Sequence, residues 1–269
     1  MKKSIRPAAV AGTFYPAEPR HLGRMLDELL LPYTGFQNEG SVESAPALAY
    51  IVPHAGYIYS GPTAAAAYHR MAELFSNPRI ILFGPSHYHY FTGLAVPWAT
   101  HFETPLGQVA LDTGLIERLV DTEGLIYSDK AHQQEHSLEV QLPFLQRVFS
   151  SFSLVPILLG DAAPAQVLTV METVWGLKNT LVLVSSDLSH FHPYQEACDI
   201  DSNTSAAICH RKGNLVGEQA CGYQGINALL QLAEKRDLRV KALKLENSGD
   251  TAGDRDRVVG YGAYGVYGA

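Results

Sequence analysis

Three short apolar segments of this sequence each end in a polar loop that carries a histidine. They are residues 48–52, which lead into Pro53 and His54, residues 79–83, which lead into His87, and residues 180–184, which lead into Asp187 and His190. Aliphatic runs of this length, bounded by Pro, Gly and Ser, are typical of strands buried in a sheet. Parallel strands present their carboxyl ends at one edge of the sheet, where α/β proteins place their ligand sites. The pattern therefore predicts one site built from three loops.

Helical and strand patterns alternate along the rest of the chain. Helices are predicted at residues 19–30, 60–75, 113–120, 135–149, 164–175, 194–210 and 222–235, and further strands at 93–97, 107–111, 154–159, 238–245 and 258–267. Residues 1–15 are predicted to be an extended arm, and residues 37–46 a polar loop. Strands that alternate with helices and are apolar on both faces are typical of a parallel sheet covered by helices. We therefore expect an α/β fold with a single domain, residues 1–269, whose central, mostly parallel mixed sheet is flanked by helices.

The composition excludes several classes of protein. Hydrophobic residues make up 46% of the 269 positions and charged residues 17%, which is enough apolar material for a sizeable core. The net charge is −7 and the longest basic run is Lys2-Lys3, so we expect no nucleic acid and no anionic membrane among the partners. No apolar run is long enough to span a membrane, and no signal peptide is recognisable. The three cysteines form no CxxC pair, which favours the reducing cytoplasm.

His54 and His87 are the strongest candidates for chemistry. Each follows a buried strand and lies near Gly and Pro, in a loop whose rigid backbone is expected to hold an imidazole in place. Neutral imidazole is a common ligand of transition metals, so two of them at neighbouring strand ends predict a shared ion. The alternative is that each ring caps a strand end by bonding to the backbone. A third ligand would come from the polar residues near the same edge, which are Asp187, His190, Glu135, His136, Glu139 and Cys221.

Two further segments have a functional and a structural interpretation. Cys221 directly precedes a predicted helix, whose dipole would lower the pKa of the thiol and suit it to metal binding or nucleophilic attack. The alternative is a buried, inert cysteine. His136 and Glu139 lie three residues apart at the start of another predicted helix and therefore share one of its faces. They form either a charged first turn or a wall of the site.

Several longer motifs occur in order along nearly the whole chain. They are Arg-Pro-Ala-Ala-Val-Ala-Gly-Thr-Phe-Tyr-Pro at 6–16, Val-Pro-His-Ala-Gly-Tyr-Ile-Tyr-Ser-Gly at 52–61, Gly-Pro-Ser-His at 84–87, Glu-His-Ser-Leu-Glu at 135–139, Gln-Leu-Pro at 141–143, Ser-Ser-Asp-Leu-Ser-His at 185–190, Cys-Gly at 221–222 and Val-Gly-Tyr-Gly at 259–262. In these motifs the chain resembles the MEMO-like family, named for a mediator of receptor-driven cell motility. Because the motifs are long and keep their order, the resemblance is specific.

The resemblance implies a fold similar to that of the class III extradiol ring-cleavage dioxygenases, which are non-haem iron enzymes. It implies that His54, His87 and Cys221 are metal ligands, with cysteine where the dioxygenases use a carboxylate. His190 would match their acid–base histidine, and Asp187 would move protons beside it. His136 and Glu139 would line the same pocket. Iron(II) is the expected metal, with copper or zinc as alternatives, because a set of two His and one Cys also suits catalytic zinc.

Three functions are compatible with these residues. The first is a metal-binding protein with a redox or metal-handling role, and the second is a non-haem iron oxygenase that acts on a small aromatic or diol substrate. The third is a peptide- or phosphopeptide-binding module on a former enzyme pocket. The expected partners are a metal ion and a small molecule or peptide. The resemblance adds a radical-SAM protein of a shared pathway, because such proteins often accompany prokaryotic members of the family.

Overall fold

The computed structural model describes residues 3–33, 47–72 and 76–268. The predicted polar loop at residues 37–46 lies outside these ranges, as does the end of the helix predicted at 60–75. Within them, the helices are α1 (Pro19–Leu30), α2 (Tyr57–Ala72), α3 (Thr113–Glu123), α4 (Asp129–Gln133), α5 (His136–Glu139), α6 (Leu142–Val148), α7 (Pro164–Val174), α8 (Tyr194–Cys209) and α9 (Tyr223–Lys235). The strands are β1 (Ile5–Arg6), β2 (Ala47–Val52), β3 (Arg79–Pro85), β4 (Leu94–Val96), β5 (His101–Thr104), β6 (Gly107–Ala110), β7 (Ile126–Tyr127), β8 (Ser153–Leu159), β9 (Thr180–Ser185), β10 (His190–His192), β11 (Arg239–Asn247) and β12 (Val258–Tyr267).

One large mixed sheet organises the fold. Among the described residues its strand order is β10-β12-β2-β9-β3-β8-β4-β7. The ninth strand, β11, pairs with β12 and lies off this path. The four central strands β2, β9, β3 and β8 are parallel, whereas β12 is antiparallel to β2, and β4 is antiparallel to β8 but parallel to β7. A separate small sheet joins β1, β5 and β6. The predicted α/β fold, a mostly parallel mixed sheet flanked by helices, is confirmed.

The central strands are buried along almost their whole length, which explains why the sequence shows apolar runs there rather than alternation. Helix α9 packs directly on this sheet. A Cβ at Gly225 of this helix would lie 3.0 Å from Cγ1 of Val184, so the glycine permits the close approach. None of the helices in the described ranges is long and apolar enough to cross a lipid bilayer.

Two predicted helices have different boundaries in the structure. Helix α2 begins at Tyr57, earlier than the predicted start at residue 60, because the carbonyl of Phe14 in the N-terminal arm accepts a hydrogen bond from the Tyr57 N–H at 2.8 Å. Pro62 therefore lies inside the helix. The helix predicted at 135–149 is divided into α5 and α6. Pro143 has no N–H to continue the ladder of helical hydrogen bonds, and it lies in the first turn of α6, where that donor is not needed.

Four short strands were not predicted. They are β1, β5, β7 and β10, which contain two, four, two and three residues. Runs this short show too little periodicity to be recognised. His101, placed in a loop by the sequence, lies in β5 and pairs with Ile5 of the arm. His190 lies at the start of β10 and pairs with Val259 of β12.

His132 in α4 is a buried histidine that bonds to the backbone. Its side chain is 1% exposed, and Nε2 lies 3.2 Å from the carbonyl oxygen of Ala95. Burial lowers the pKa of His132 from 6.5 to about 3, and the bond to Ala95 offsets only part of this effect. The folded protein therefore keeps this ring neutral at pH values where the unfolded chain protonates it.

This burial predicts a stability that depends on pH. The stabilising contribution of His132 is complete above about pH 6.5 and is lost as the pH falls towards about 3, because the unfolded chain binds the extra proton in this window. A His132→Gln variant keeps the donor to Ala95 and does not titrate. We expect its free energy of unfolding to fall less steeply with decreasing pH, by up to ~1.4 kcal/mol per pH unit. Urea unfolding at a series of acidic pH values measures the slope.

The exposed His21 of α1 supplies the matched control for this experiment. His21→Gln should leave the slope as it is in the unaltered protein. An unchanged slope in His132→Gln would contradict the prediction.

Candidate metal centre

Three loops at the carboxyl end of the central sheet meet at one point. His54, His87 and Asp187 each lie two residues beyond the last residue of a strand, namely β2, β3 and β9. The rings of His54 and His87 have centroids 5.2 Å apart, and the backbone N–H of His54 donates to Oδ1 of Asp187 at 2.7 Å. The structure thus brings together the residues that the three strand ends predicted.

The hydrogen bonds of Ser185 fix the His54 ring. Oγ of Ser185 donates to the carbonyl of Ser137 at 2.6 Å and accepts from Nε2 of Gln141 at 2.8 Å. Because the single hydroxyl hydrogen is already used, Nδ1 of His54, at 2.9 Å from Oγ, is the donor in the third bond. Nε2 of His54 then carries a lone pair. It faces Sγ of Cys221 at 3.2 Å.

Glu135 holds the His87 ring. One carboxylate oxygen lies 2.8 Å from Nδ1 of His87, and the other accepts the His87 backbone N–H at 2.5 Å. Burial opposes the charge on Glu135, but the hydrogen bonds from His87 and the Ser137 N–H outweigh it and lower the pKa of Glu135 to about 2. An ionised carboxylate on Nδ1 leaves Nε2 of His87 available as a ligand. Histidines in metal sites are commonly oriented in this way.

His136 is a third imidazole of the same cluster. Its ring stacks on that of His87 with centroids 4.5 Å apart and meets the edge of His54 at 5.4 Å. Each of the three rings offers a ligand atom within 4.8 Å of the others, so the group is able to hold a metal ion. Nδ1 of His136 is buried and has no hydrogen-bond partner in the described part of the chain. The sequence offered His136 both as one of six candidates for a third ligand and as part of the pocket wall, and the fold shows that it joins the other two rings.

Two of the imidazoles, those of His54 and His136, are kept neutral by their surroundings. Burial, followed by the neighbouring His87, lowers the pKa of His54 to about 3. Burial and His54 lower the pKa of His136 to about 4. A neutral ring keeps the lone pair that a metal ion requires. The cluster is therefore suited to bind a metal cation rather than a proton.

Cys221 lies against this cluster at the start of α9. The Asp187 N–H donates to Sγ at 3.3 Å. A Cβ at Gly222 would lie 2.6 Å from the carbonyl oxygen of Ser185, so only glycine allows the helix start to come this close to β9. Burial, and then the charge of Asp187, raises the pKa of the Cys221 thiol to about 12. The expectation that the helix dipole lowers this pKa is wrong, because burial has the larger effect. A cation that binds Sγ has to displace the proton.

A cavity of about 390 Å³ opens beside the cluster. Its lining includes Phe14, Tyr59, His136, Asp187, His190 and Tyr261. Asp187 is 4% exposed, and burial raises its pKa despite the hydrogen bond from the His54 N–H. The two residues to which the resemblance assigns proton transfer, Asp187 and His190, thus face the same space as the edge of the cluster.

Glu139 is not among the residues that line this cavity. It is fully buried, and its carboxylate is surrounded by donors from the N-terminal arm. These donors are the Arg6 guanidinium, the N–H groups of Ala9 at 2.8 Å and Val10 at 3.0 Å, and the Tyr15 hydroxyl at 2.5 Å. The anchored arm carries Phe14, whose ring centroid lies 4.6 Å from that of His136. Glu139 therefore shapes the cavity indirectly, by fixing the arm that forms one of its walls.

Comparisons with known proteins agree along nearly the whole chain. A family model described as Memo-like protein matches residues 6–265. A MEMO1 family protein of Metallosphaera sedula is 36% identical over 273 residues, covering 95% of this chain and 97% of the relative. A MEMO1 family protein of Thermotoga neapolitana is 36% identical over 277 residues, covering 96% and 98%. The matched span includes the three strand-end loops, α5 and Cys221.

A solved structure supports the fold. The uncharacterized protein JW3007 from Escherichia coli K12 superposes with a TM-score of 0.52, covering 80% of this chain and 98% of that protein. At 12% identity this likeness concerns the fold alone. Together with the family match, it confirms the fold that the resemblance implied, an α/β fold of the class III extradiol dioxygenase type.

The anchoring of the arm predicts a strong coupling between Arg6 and Glu139. Arg6 is 6% exposed and Glu139 is fully buried, so removing one partner leaves the other as an unpaired buried charge. We expect Glu139→Gln to lower the free energy of unfolding by about 3 kcal/mol, and Arg6→Met by a similar amount. The double variant should lose at least ~1 kcal/mol less than the sum of the two. Chemical denaturation of the four proteins measures this cycle.

The ion pair of Arg147 with Asp27 serves as the control, since these side chains are 47% and 53% exposed. Arg147→Met should cost less than ~1 kcal/mol. Additive losses in the Arg6 and Glu139 cycle would contradict a paired anchor.

Proposed function

Because the chain belongs to the Memo-like protein family, we propose that it is a metal-binding protein with a dioxygenase-like pocket and a redox or metal-handling role. The ligands in this proposal are His54, His87 and Cys221, and the metal is iron(II), with copper and zinc as alternatives. The observation that carries the proposal is the meeting of Nε2 of His54 and Sγ of Cys221 at 3.2 Å, beside the carboxylate-held ring of His87. Two ligands of one tetrahedral ion lie about 3.5 Å apart, given metal–ligand distances of roughly 2.0–2.3 Å.

The donor set fits a divalent transition metal. Two imidazoles, those of His54 and His87, have their Nδ1 atoms fixed by Ser185 and Glu135, and a thiol completes a mixed nitrogen and sulfur set. The buried Nδ1 of His136 has no hydrogen-bond partner among the described residues, and it lies 3.4 Å from Oε1 of Glu135, an anion that favours a cation in the cluster. His136 is the competing third ligand, because its ring meets both of the other histidines. A bound ion would supply a Lewis-acid or redox centre at the inner end of the cavity.

The residues of the chain have separate roles in this proposal. Asp187 and His190 face the cavity and hold or move a proton at a bound molecule. Phe14 and Tyr59 cover the cavity with aromatic surface and limit the access of water. Asp187 also accepts the backbone N–H of His54, so a change in its charge acts on the loop that carries a ligand.

Metal content tests the ligand assignment. Protein purified without oxygen should contain about one metal ion per chain by elemental analysis. His54→Ala should abolish it, because it removes an imidazole common to both ligand sets. His101→Ala is the control, since His101 lies in the small sheet and pairs with the arm. Stoichiometric metal in a His54→Ala, Cys221→Ser double variant would refute the proposal.

Cobalt substitution separates the two candidates for the third ligand. If Sγ of Cys221 binds the ion, the cobalt protein shows thiolate-to-metal charge-transfer absorption. The band should disappear in Cys221→Ser and persist in His136→Gln. A cobalt protein that lacks this band, and whose cobalt content falls in His136→Gln but not in Cys221→Ser, would assign the third position to His136.

The cavity favours a second candidate function, a non-haem iron oxygenase that acts on a small aromatic or diol substrate. A volume of about 390 Å³ lies in the range of small-molecule pockets, and aromatic rings line it beside His190. This size suits a small molecule better than a peptide, so the peptide-binding module is not proposed.

Oxygen uptake tests the oxygenase. The iron-loaded protein should consume oxygen with a catechol substrate, and His190→Ala should keep its iron but lose activity by about a hundredfold, the usual contribution of a positioned acid or base. His192→Ala is the matched control, because His192 lies on the same strand and pairs with Glu196. Full activity in His190→Ala, or no uptake with any of a panel of diols, would reject the oxygenase and leave the metal-binding role.

A further inference from the structure

Arg257 places a positive charge at the cavity beside the metal cluster. It precedes β12, is exposed, and lines the same space as His136, Asp187 and His190. The ion pairs of the described residues do not include Arg257. Its guanidinium is therefore free to meet a bound molecule.

Phe191, which has an unusual backbone conformation, contacts Arg257 at the rim of the cavity. Phe191 of β10 has a φ of 63°, in the left-handed region that aromatic residues rarely adopt. The pairing of β10 with β12 is irregular between His190 and His192, so Phe191 is the bulged residue. Its ring is 59% exposed. The guanidinium carbon of Arg257 lies 5.0 Å from the centre of this ring, a cation–π distance that restricts where the arginine reaches.

The same bulge connects Arg257 to the catalytic side of the cavity. The ring of His190 meets the edge of Phe191 with centroids 5.7 Å apart. His190, Phe191 and Arg257 thus form a continuous row from the cavity wall to its rim. The described contacts of the Phe191 ring, with the half-buried His190 and the exposed Arg257, give this strained residue no evident role in folding. Such strain is typical of functional sites.

The other charged groups at the cavity decide which ligand suits Arg257. Asp187 already accepts the His54 N–H at 2.7 Å. Oδ1 of Asp254 accepts the N–H groups of Asp256 at 3.0 Å and Arg257 at 3.3 Å and so closes its own turn. Two carboxylates near a single guanidinium disfavour a doubly charged group such as phosphate. A singly charged, planar carboxylate matches the guanidinium fork.

We propose that the cavity binds a small aromatic carboxylic acid, whose carboxylate pairs with Arg257 while its ring lies against the aromatic lining towards the histidine cluster. This inference rests on the proposed function in one respect, since it names the class of molecule for the same pocket. The aromatic part of the ligand follows from Phe14, Tyr59 and Tyr261 in the lining. Arg257 acts in it as the residue that determines specificity.

Three probes with the same skeleton test the inference, namely phenylacetate, phenylethanol and phenethylamine. They carry a carboxylate, a hydroxyl and an ammonium group, and they lack the paired hydroxyls that would chelate a metal. Calorimetric titration of the full chain, both metal-loaded and stripped with a chelator, should show phenylacetate binding about tenfold more tightly than phenylethanol. This is the effect expected of one charge-assisted hydrogen bond. Phenethylamine should bind more weakly than either.

Variants assign the preference to Arg257. Arg257→Gln should remove the advantage of phenylacetate over phenylethanol, and Arg257→Lys should restore part of it. Arg255→Gln is the matched control, because Arg255 lies two residues away and stacks on Tyr194, with its guanidinium carbon 4.3 Å from that ring. It should keep the full preference. Circular dichroism of each variant confirms that the fold is intact.

Failure of phenylacetate to bind, tightest binding of phenethylamine, or a preference that persists in Arg257→Gln would each overturn the inference. Elemental analysis of the same samples keeps it apart from the proposed function. A carboxylate preference that depends on Arg257, in protein that contains no metal as purified and takes none up on loading, supports the inference and counts against the metal centre. Stoichiometric metal without such a preference supports the metal centre and overturns the inference.

Discussion

The hydroxyl of Ser185 connects the elements on which the histidine cluster depends. It is the last residue of β9, and it bonds to Nδ1 of His54 beyond β2, to the carbonyl of Ser137 in α5, and to the side chain of Gln141. All of these groups are buried, so each bond that is lost would leave an unpaired polar group at a cost of about 1–3 kcal/mol. Because one hydroxyl has one hydrogen, this arrangement also decides which nitrogen of His54 carries the proton. A packing interaction thereby determines the chemistry of a ring.

The cluster is mostly uncharged, and this follows from where it lies. Burial keeps His54 and His136 neutral and keeps the Cys221 thiol protonated. Glu135 is the exception, since the hydrogen bonds from His87 hold its carboxylate ionised. A buried site with several neutral donors and one nearby anion has little attraction for protons but gains favourable interactions when a cation enters. The burial that makes these residues resemble core residues thus also keeps their donor atoms available to a metal ion.

The sequence predicted where the site lies better than it predicted which residues form it. Parallel strands bring their ends together whatever the loops contain, so His54, His87 and Asp187 were found from three apolar runs alone. His136 shows no such signal, because it lies at the start of a helix and its place beside the other rings depends on how α5 packs on β3. Cys221 was one of six candidates for the third ligand until the family resemblance selected it, and its raised pKa follows from burial that no local pattern reveals.

Other features could not be predicted because they arise between distant segments. The carboxylate of Glu139 was expected to line the pocket, since it shares a helix face with His136. In the structure it instead accepts hydrogen bonds from Arg6 and from the backbone of the arm. Four donors from the arm, namely the Arg6 guanidinium, two backbone N–H groups and the Tyr15 hydroxyl, outweigh a place at a wet cavity, because a buried anion needs every donor it can reach. The bulge at Phe191 likewise depends on the pairing of two strands far apart in the chain. The site therefore has a rigid inner part set by buried hydrogen bonds and an exposed rim set by β10 and β12. A rim that is free of the core's packing constraints is where Memo-like proteins would be able to change the molecules they bind without changing the centre beneath.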